Sequence, residues 1–336
     1  MDFQVRATRK AVRILCTITA FFALALLQTD SFSQPYPSKP VRIVVSFAPG
    51  GGTDVIARLV AQKLSEKMGQ TFVVDNKPGG NGVIGSQTVA TAQPDGYTLY
   101  FASSDHVILG PNLFTNLPYD TVKDFSPITS VARQNLVLVV HPSVPAQSVK
   151  EFISMSKSKP GELNYSSAGT GSATHLTGEL FQSRTEVKLT HVPYKGSAPA
   201  ITDLLAGRDV KVSFAAVAPI VPHIKTGKVR ALGVTSAARL NALPEVPTMA
   251  EAGIADFDIF FWFGLFAPAG TPKEVISELN KHLTAVLQSL DVVERITALG
   301  AEPMGGTPEE LGALVRTELP RWGKIIRDAG IPRTPL

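Results

Sequence analysis

Residues 41–69 read VRIVVSFAPGGGTDVIARLVAQKLSEKMG. The opening VRIVVSF is a near-continuous apolar run, the pattern of a strand buried on both faces. From Val55 to Met68 the period changes: Ile56, Val60 and Leu64 fall on one helical stripe, and Gly69 follows as a stop. Between strand and helix stand Gly50, Gly51 and Gly52, and each glycine costs backbone entropy on folding. A turn alone would account for them; so would a ligand that needs close access to backbone N–H groups. Side chains would block those groups, and a helix N-terminus carries about half a positive charge there.

The same beat continues outward. QTFVVDN reads as a second strand, Gly82 to Ala92 as a helix and GYTLYFASS as a third strand. Strands alternating with helices predict a parallel sheet with right-handed crossovers. NLVLVVH, residues 135–141, is a further strand, and a new lobe is expected after it. There LNYSSAG, Thr174 to Gln182, KLTHVPY, Ala198 to Ala206 and VKVSFAA repeat the alternation, and VRALGVTS leads back. FFWFGLFAPAG is a strongly apolar strand. Ser148 and Glu151 have capping-box spacing, and Thr271-Pro-Lys-Glu and Thr307-Pro-Glu-Glu both read as helix starts. The expected fold class is α/β with two hinged lobes and parallel-rich sheets: residues 34–138 with 236–336 form one lobe, residues 139–235 the other.

The first 33 residues stand apart. Arg6, Arg9, Lys10 and Arg13 precede the fourteen apolar-rich residues Ile14 to Leu27, and Ser31-Phe32-Ser33 offers small residues at a cleavage site. This is the pattern of a secretory signal peptide cleaved near Ser33, and the stretch is short of the ~20 residues a spanning helix needs. The only cysteine, Cys16, lies within it, with no lipobox before it. An exported protein without cysteines suits an oxidising compartment without using disulfides. The whole chain carries 32 Lys+Arg against 28 Asp+Glu; setting aside the leader's four basic and two acidic residues leaves 28 against 26, a net of +2. That is no footprint for nucleic acid.

The glycine loop has company. Pro78-Gly-Gly-Asn81-Gly82 follows the second strand, Ser103 and Ser104 follow the third, and Ser166-Ser167-Ala-Gly169-Thr170-Gly-Ser172 follows the strand at Leu163 to Tyr165. All fall at carboxyl ends of strands, where open α/β sheets bind ligands. The first loop holds neither lysine nor arginine, so an anion there is held by amides and hydroxyls, with Thr53 as cap or donor. Asp54 suits the first turn and can pair with Arg58 at i+4. Enzyme signatures are missing: there is no dinucleotide fingerprint, phosphate-binding loop or nucleophile elbow. The six histidines have no paired metal spacing, so neither metal nor cofactor is expected. A hydrolase built on His175 and Ser172 is the catalytic rival.

Across nearly the whole chain after residue 35 the sequence resembles the Bug-type periplasmic solute-binding receptors of tripartite tricarboxylate transporters. The resemblance runs through YPSKPVRIVVSFAPGGGTDVIARLV, VVDNKPGGNGVIG, QPDGYTL, LPYDTVKDFSPI, HVPYKGSAPAITDLLAG, VPHIKTGKVRALGVTS, LPEVPTMAEAG and WFGLFAPAGTP. It implies a two-lobed periplasmic-binding-protein fold of type II that closes on a small carboxylate and delivers it to a membrane permease. A monomer feeding a sensor kinase instead would have the same cleft. By position, the family's first binding loop falls on Phe47, Ala48, Gly50, Gly51, Gly52, Thr53 and Asp54, with Asn81, Ser103 and Ser104 on the same side. Its second falls on Ser167, Gly169, Thr170, Ser172 and Thr174, with Tyr194 and Lys195 nearby. Two positions depart from the pattern: Ser46 replaces a common proline, and Ala215 stands where many relatives carry aspartate. The missing acid points to a plain carboxylate rather than an amino acid.

Overall fold

The computed structural model describes residues 36–50, 52–255 and 257–336; the expected signal peptide and Gly51 lie outside them. Strand β1 (Val41–Val45) is buried at all positions but Arg42, as the apolar run requires. Helix α1 (Gly52–Met68) leads to β2 (Phe72–Asn76), and α2 (Val83–Ala90) leads to β3 (Thr98–Ser103). Both outer strands pair with β1 in parallel. Helix α1 starts at Gly52, earlier than the apolar stripe suggests, so Thr53 lies inside its first turn instead of capping it.

The expected strand at 135–141 is the end of a longer one, β4 (Phe125–Val140). Its first part hid behind buried hydroxyls: Thr129 and Ser130 are 0% and 4% exposed, and Thr129 donates to the Gly306 carbonyl at 2.8 Å. Beyond β4 come α3 (Val149–Ser158), β5 (Asn164–Ser167), α4 (Ala173–Thr185), β6 (Thr190–Pro193), α5 (Ser197–Ala206), β7 (Val212–Ala216), α6 (Val217–Lys225) and β8 (Arg230–Val234). The chain returns through β9 (Phe260–Pro268), α7 (Lys273–Leu287), α8 (Leu290–Ala298), β10 (Glu302–Gly305) and α9 (Pro308–Asp328).

The strand order is β2-β1-β3-β9-β4-β7-β5-β6, with β8 and β10 also on β4. Phe125 to Asn135 pairs antiparallel with β9, and Leu136 to Val140 pairs antiparallel with β7 and β8. The flanking strands are parallel, as the alternation predicts, while the strands at the join are antiparallel. One strand thus belongs to two sheets. Its second part is buried on both faces: Leu136, Leu138 and Val140 join the core that contains Val44, Phe181 and Trp322, while Val137 and Val139 join a second core with Leu204, Ile220 and Val246. The larger core runs through both sheets, so Lys39–Leu336 packs as one unit.

The helix-start signals divide. Thr307 accepts from the Glu310 N–H at 3.2 Å, and Glu310 accepts from the Thr307 N–H at 2.7 Å, a complete capping box. Thr271 does not cap: Pro272 holds that position, and the buried Thr271 hydroxyl donates to the Pro268 carbonyl at 2.8 Å. Ser148 accepts from Glu151 N–H at 3.2 Å, but Glu151 reaches Gln147 N–H at 2.8 Å rather than Ser148.

Candidate functional site

The loop after β1 is braced from beneath. Asp54, buried in the first turn of α1, accepts from the Gly50 N–H, from Arg58 Nε and from Asn76 Nδ2, each at 2.9 Å. Asn76 Nδ2 also donates to the Phe47 carbonyl at 3.0 Å, and its Oδ1 accepts from Arg58 at 2.9 Å. Burial pushes the Asp54 carboxyl up, but bonds from Arg58, Gly50 and Asn76 outweigh it and hold the group below the usual carboxylate range. Asp54 therefore shapes the loop with both oxygens engaged inside the chain, and the Gly50 N–H is used by the brace. Gly50 has φ +86°, where a side chain would be strained. Ala48, Gly50 and Gly52 are exposed and Thr53 is half-buried. The leading N–H groups of α1 have no intrahelical acceptor.

Beneath Phe47 lies a polar layer. The Phe47 ring sits 4.5 Å from that of buried His106, and a Cβ on Gly82 would come within 2.2 Å of the His106 ring. Ser46, the departure from proline, bonds Tyr100 OH at 3.0 Å, and Ser86 bonds the same phenol at 2.8 Å. Burial holds His106 down to about 4, so it is neutral at pH 7.

The loop after β5 is also tied to itself. The Ala168 N–H donates to Thr174 Oγ1 at 2.8 Å, and the Ser172 hydroxyl donates to the Gly169 carbonyl at 2.6 Å. Ser167 Oγ pairs with His191 Nε2 at 2.6 Å, and the Gly171 N–H donates to His175 Nδ1 at 3.1 Å. His175 and His191 stack at 4.0 Å, both held down to about 4 by burial, His191 also by its neighbour. This arrangement does not activate Ser172. The acceptor nitrogen of His175 is taken by Gly171, and the serine proton goes to a carbonyl, so the hydrolase reading loses its base.

Ser167, Thr174 and Ala215 come together in a cavity of about 10 Å³, shared with Ser197 and Ser213. Gly169, Thr170 and Ser172 form the adjacent loop, with Thr170 exposed. Other expected residues are engaged elsewhere. Ser103 and Ser104 are buried and accept from the Asp105 and Trp262 N–H groups at 3.2 and 3.3 Å. The Tyr194 hydroxyl is bonded to Asp203, with burial and that carboxylate raising it to about 12. Lys195 is exposed, and so is Asn81, at φ +50°. Sequence reasoning missed Asn76, His106 and Asp105, while the segment His191 to Gly196 was expected beside the second loop. Position offered a signal for Asp105 alone, since it follows the two serines already noted at the end of β3.

Two sheets sharing one strand, with glycine- and hydroxyl-rich loops at strand ends, define a two-lobed periplasmic-binding-protein fold. Residues 56–331 match the family described as tripartite tricarboxylate transporter family receptor, and the chain belongs to that family. It is a family of solute-binding receptors, not of enzymes. Among relatives, protein BugT of Bordetella pertussis is 39% identical over 319 residues, 95% of this chain and 98% of BugT. Among solved structures, R. palustris Rpa4515 with adipate is 39% identical with TM-score 0.82, covering 90% of this chain and all (100%) of that one. MatC from Rhodopseudomonas palustris with bound malate is 33% identical with TM-score 0.78, covering 87% of this chain and 100% of that one. The periplasmic binding protein BugD is 37% identical with TM-score 0.79, at 89% and 100% coverage. No helix among the described residues is long and apolar enough to cross a membrane.

Proposed function

We propose that the protein captures a small carboxylate, a di- or tricarboxylate or an aromatic acid, between its two lobes and delivers it to the permease subunits of a tripartite transporter. The observation that carries this reading is the first loop: rigidly braced, free of cations, and leading into a helix N-terminus. Phe47, Ala48, Gly52 and Thr53 meet the ligand from one side. Ser167, Gly169, Thr170, Thr174 and Ala215 meet it from the other. Charge-assisted hydrogen bonds contribute about 1.5–3 kcal/mol each and the helix end up to ~2 kcal/mol. Micromolar binding needs about −8 kcal/mol net, so a few such contacts suffice without a cationic side chain. That solved relatives hold adipate and malate supports the same chemistry.

The hinge falls within β4, where its partners change between Asn135 and Leu136. The expected division, with 139–235 as the second lobe, then grows to include the segment after β8, supported by the Val234–Thr248 bridge and by Leu243 and Val246 in the second core. The protein works as a monomer in the periplasm after cleavage near Ser33. A thermal-shift screen of mono-, di- and tricarboxylates, aliphatic and aromatic, tests the central claim. A ligand at 100 times its Kd adds about 2.7 kcal/mol to the apparent stability. Stabilisation by adipate or malate is the expected result. Stabilisation by neutral sugars or by amino acids alone would overturn the reading.

A further inference from the structure

Asp105 stands two residues beyond the end of β3, at the start of a π-helical turn, Asp105–Leu109. Across from it, on the β5 side of the molecule, Ala173 begins the 13-residue helix α4, and its N–H lies against the Asp105 carboxyl. Its Oδ1 is buried without a hydrogen-bond partner, while the residue as a whole is half-buried. The two sides are closely fitted here: a Cβ on Gly171, at φ +80°, would come within 3.0 Å of Leu113. We propose that Asp105 is a positioning residue of the cleft, a carboxyl on one lobe that seats the N-terminus of α4 on the other, so that ligand capture is linked to its protonation. This rests on the reading of the protein as a two-lobed carboxylate receptor.

The electrostatics follow from the burial. Desolvation pushes Asp105 up to about 7, and only the Ala173 N–H opposes it. The titratable groups around it are accounted for. Tyr100 of β3 is raised by burial and in part by Asp105 itself; neighbouring His106 is neutral; Tyr119 donates to the His106 carbonyl. Helix α9, packed along the turn, brings Glu318, which accepts from Arg321 and Trp322 at 2.9 Å each. Helix α4 brings His175, neutral at pH 7. When the lobes part, Asp105 meets water and returns towards an ordinary value near 4. The closed form therefore binds the proton more tightly, and closure becomes easier as the pH falls through 7.

Adipate binding by the wild-type protein and Asp105→Asn, measured by calorimetry at pH 6 and pH 8, tests this. The wild type is expected to bind about tenfold more tightly at pH 6, because one proton is taken up on closing. Asp105→Asn is expected to bind equally at both. A second readout needs no ligand: the unliganded radius of gyration in solution scattering shrinks at pH 6 in the wild type and is pH-independent in Asp105→Asn. A variant that keeps the wild-type pH dependence, or a wild type with none in either readout, overturns the proposal. If no carboxylate binds the wild type, the receptor reading fails, and the scattering comparison still decides the role of Asp105.

Discussion

Gly52 and Asp54 sit two residues apart and serve the first loop in different ways. A Cβ on Gly52 would meet no atom within 4 Å, and the residue opens a helix at an exposed position. Gly52→Ala is expected to leave the melting temperature unchanged or raise it, since alanine is better in a helix by up to about 1 kcal/mol. Gly52→Leu places a side chain over the leading N–H groups and is expected to weaken adipate binding at least tenfold at unchanged stability, which calorimetry and thermal melts together will show. Asp54 is the opposite case. Its folded carboxyl is held below the unfolded value, so its contribution is present above pH 4 and lost as the pH falls through the folded value. Asp54→Asn should lose about 1–3 kcal/mol at pH 7 and flatten the acid limb below pH 4, read from urea unfolding at several pH values. The glycine run and the i, i+4 pair with Arg58 were legible because each is local. Asn76, which ties the same loop together, lies 22 residues away with no local pattern to mark it. Asp105 was marked only by its place after two serines, its meaning set by a helix far along the chain.

At the level of elements, two stretches with the same pattern, Thr-Pro-x-Glu, end differently. Both predict a capped helix, and both helices form. Only Thr307 closes the box; Thr271 lies in a tight turn whose carbonyl, Pro268, captures its hydroxyl. Propensity and spacing say that a helix starts here; what the cap's side chain bonds depends on the turn that delivers it. Thr307→Ala is expected to cost about 1 kcal/mol. Glu310→Ala should be non-additive with it, because each residue satisfies the other's backbone, and a double-mutant cycle in denaturant will give the coupling. The same divide runs through β4. Leu136 to Val140 announced itself by being apolar on both faces, whereas Phe125 to Asn135 buries threonine and serine against partners from residue 260 onward. The alternation of strands and helices was enough for the fold class. The shared strand that joins the sheets was not visible, because its pairing is almost entirely long-range.

For the whole molecule, the buried titratable groups set opposing demands. His106, His175 and His191 have folded values near 4, against 6.5 for a free imidazole. Between those values the unfolded chain binds protons that the folded chain refuses, so stability is full above about pH 6.5 and is lost as the pH falls. Asp105 runs the other way: its folded value near 7 lies above 3.8, so the folded chain keeps a proton the unfolded chain releases, and stability falls as the pH rises from 4 to 7. Each group gives a slope of about 1.4 kcal/mol per pH unit, so between pH 4.5 and 6 the carboxyl offsets one histidine and a net of two remains. Stability is therefore expected to peak near pH 6.5 and to fall by about 3 kcal/mol per pH unit on the acid side. Denaturant unfolding between pH 4.5 and 7.5 measures this directly. In Asp105→Asn the acid limb should steepen by one proton and the decline from pH 6.5 to 7 should vanish; unchanged curves would mean that the carboxyl titrates alike in both states. The carboxyl that eases closure on the ligand as the pH falls thus also offsets part of the acid sensitivity of the histidines, and the two effects meet between pH 6 and 7, where capture is helped before the fold is weakened.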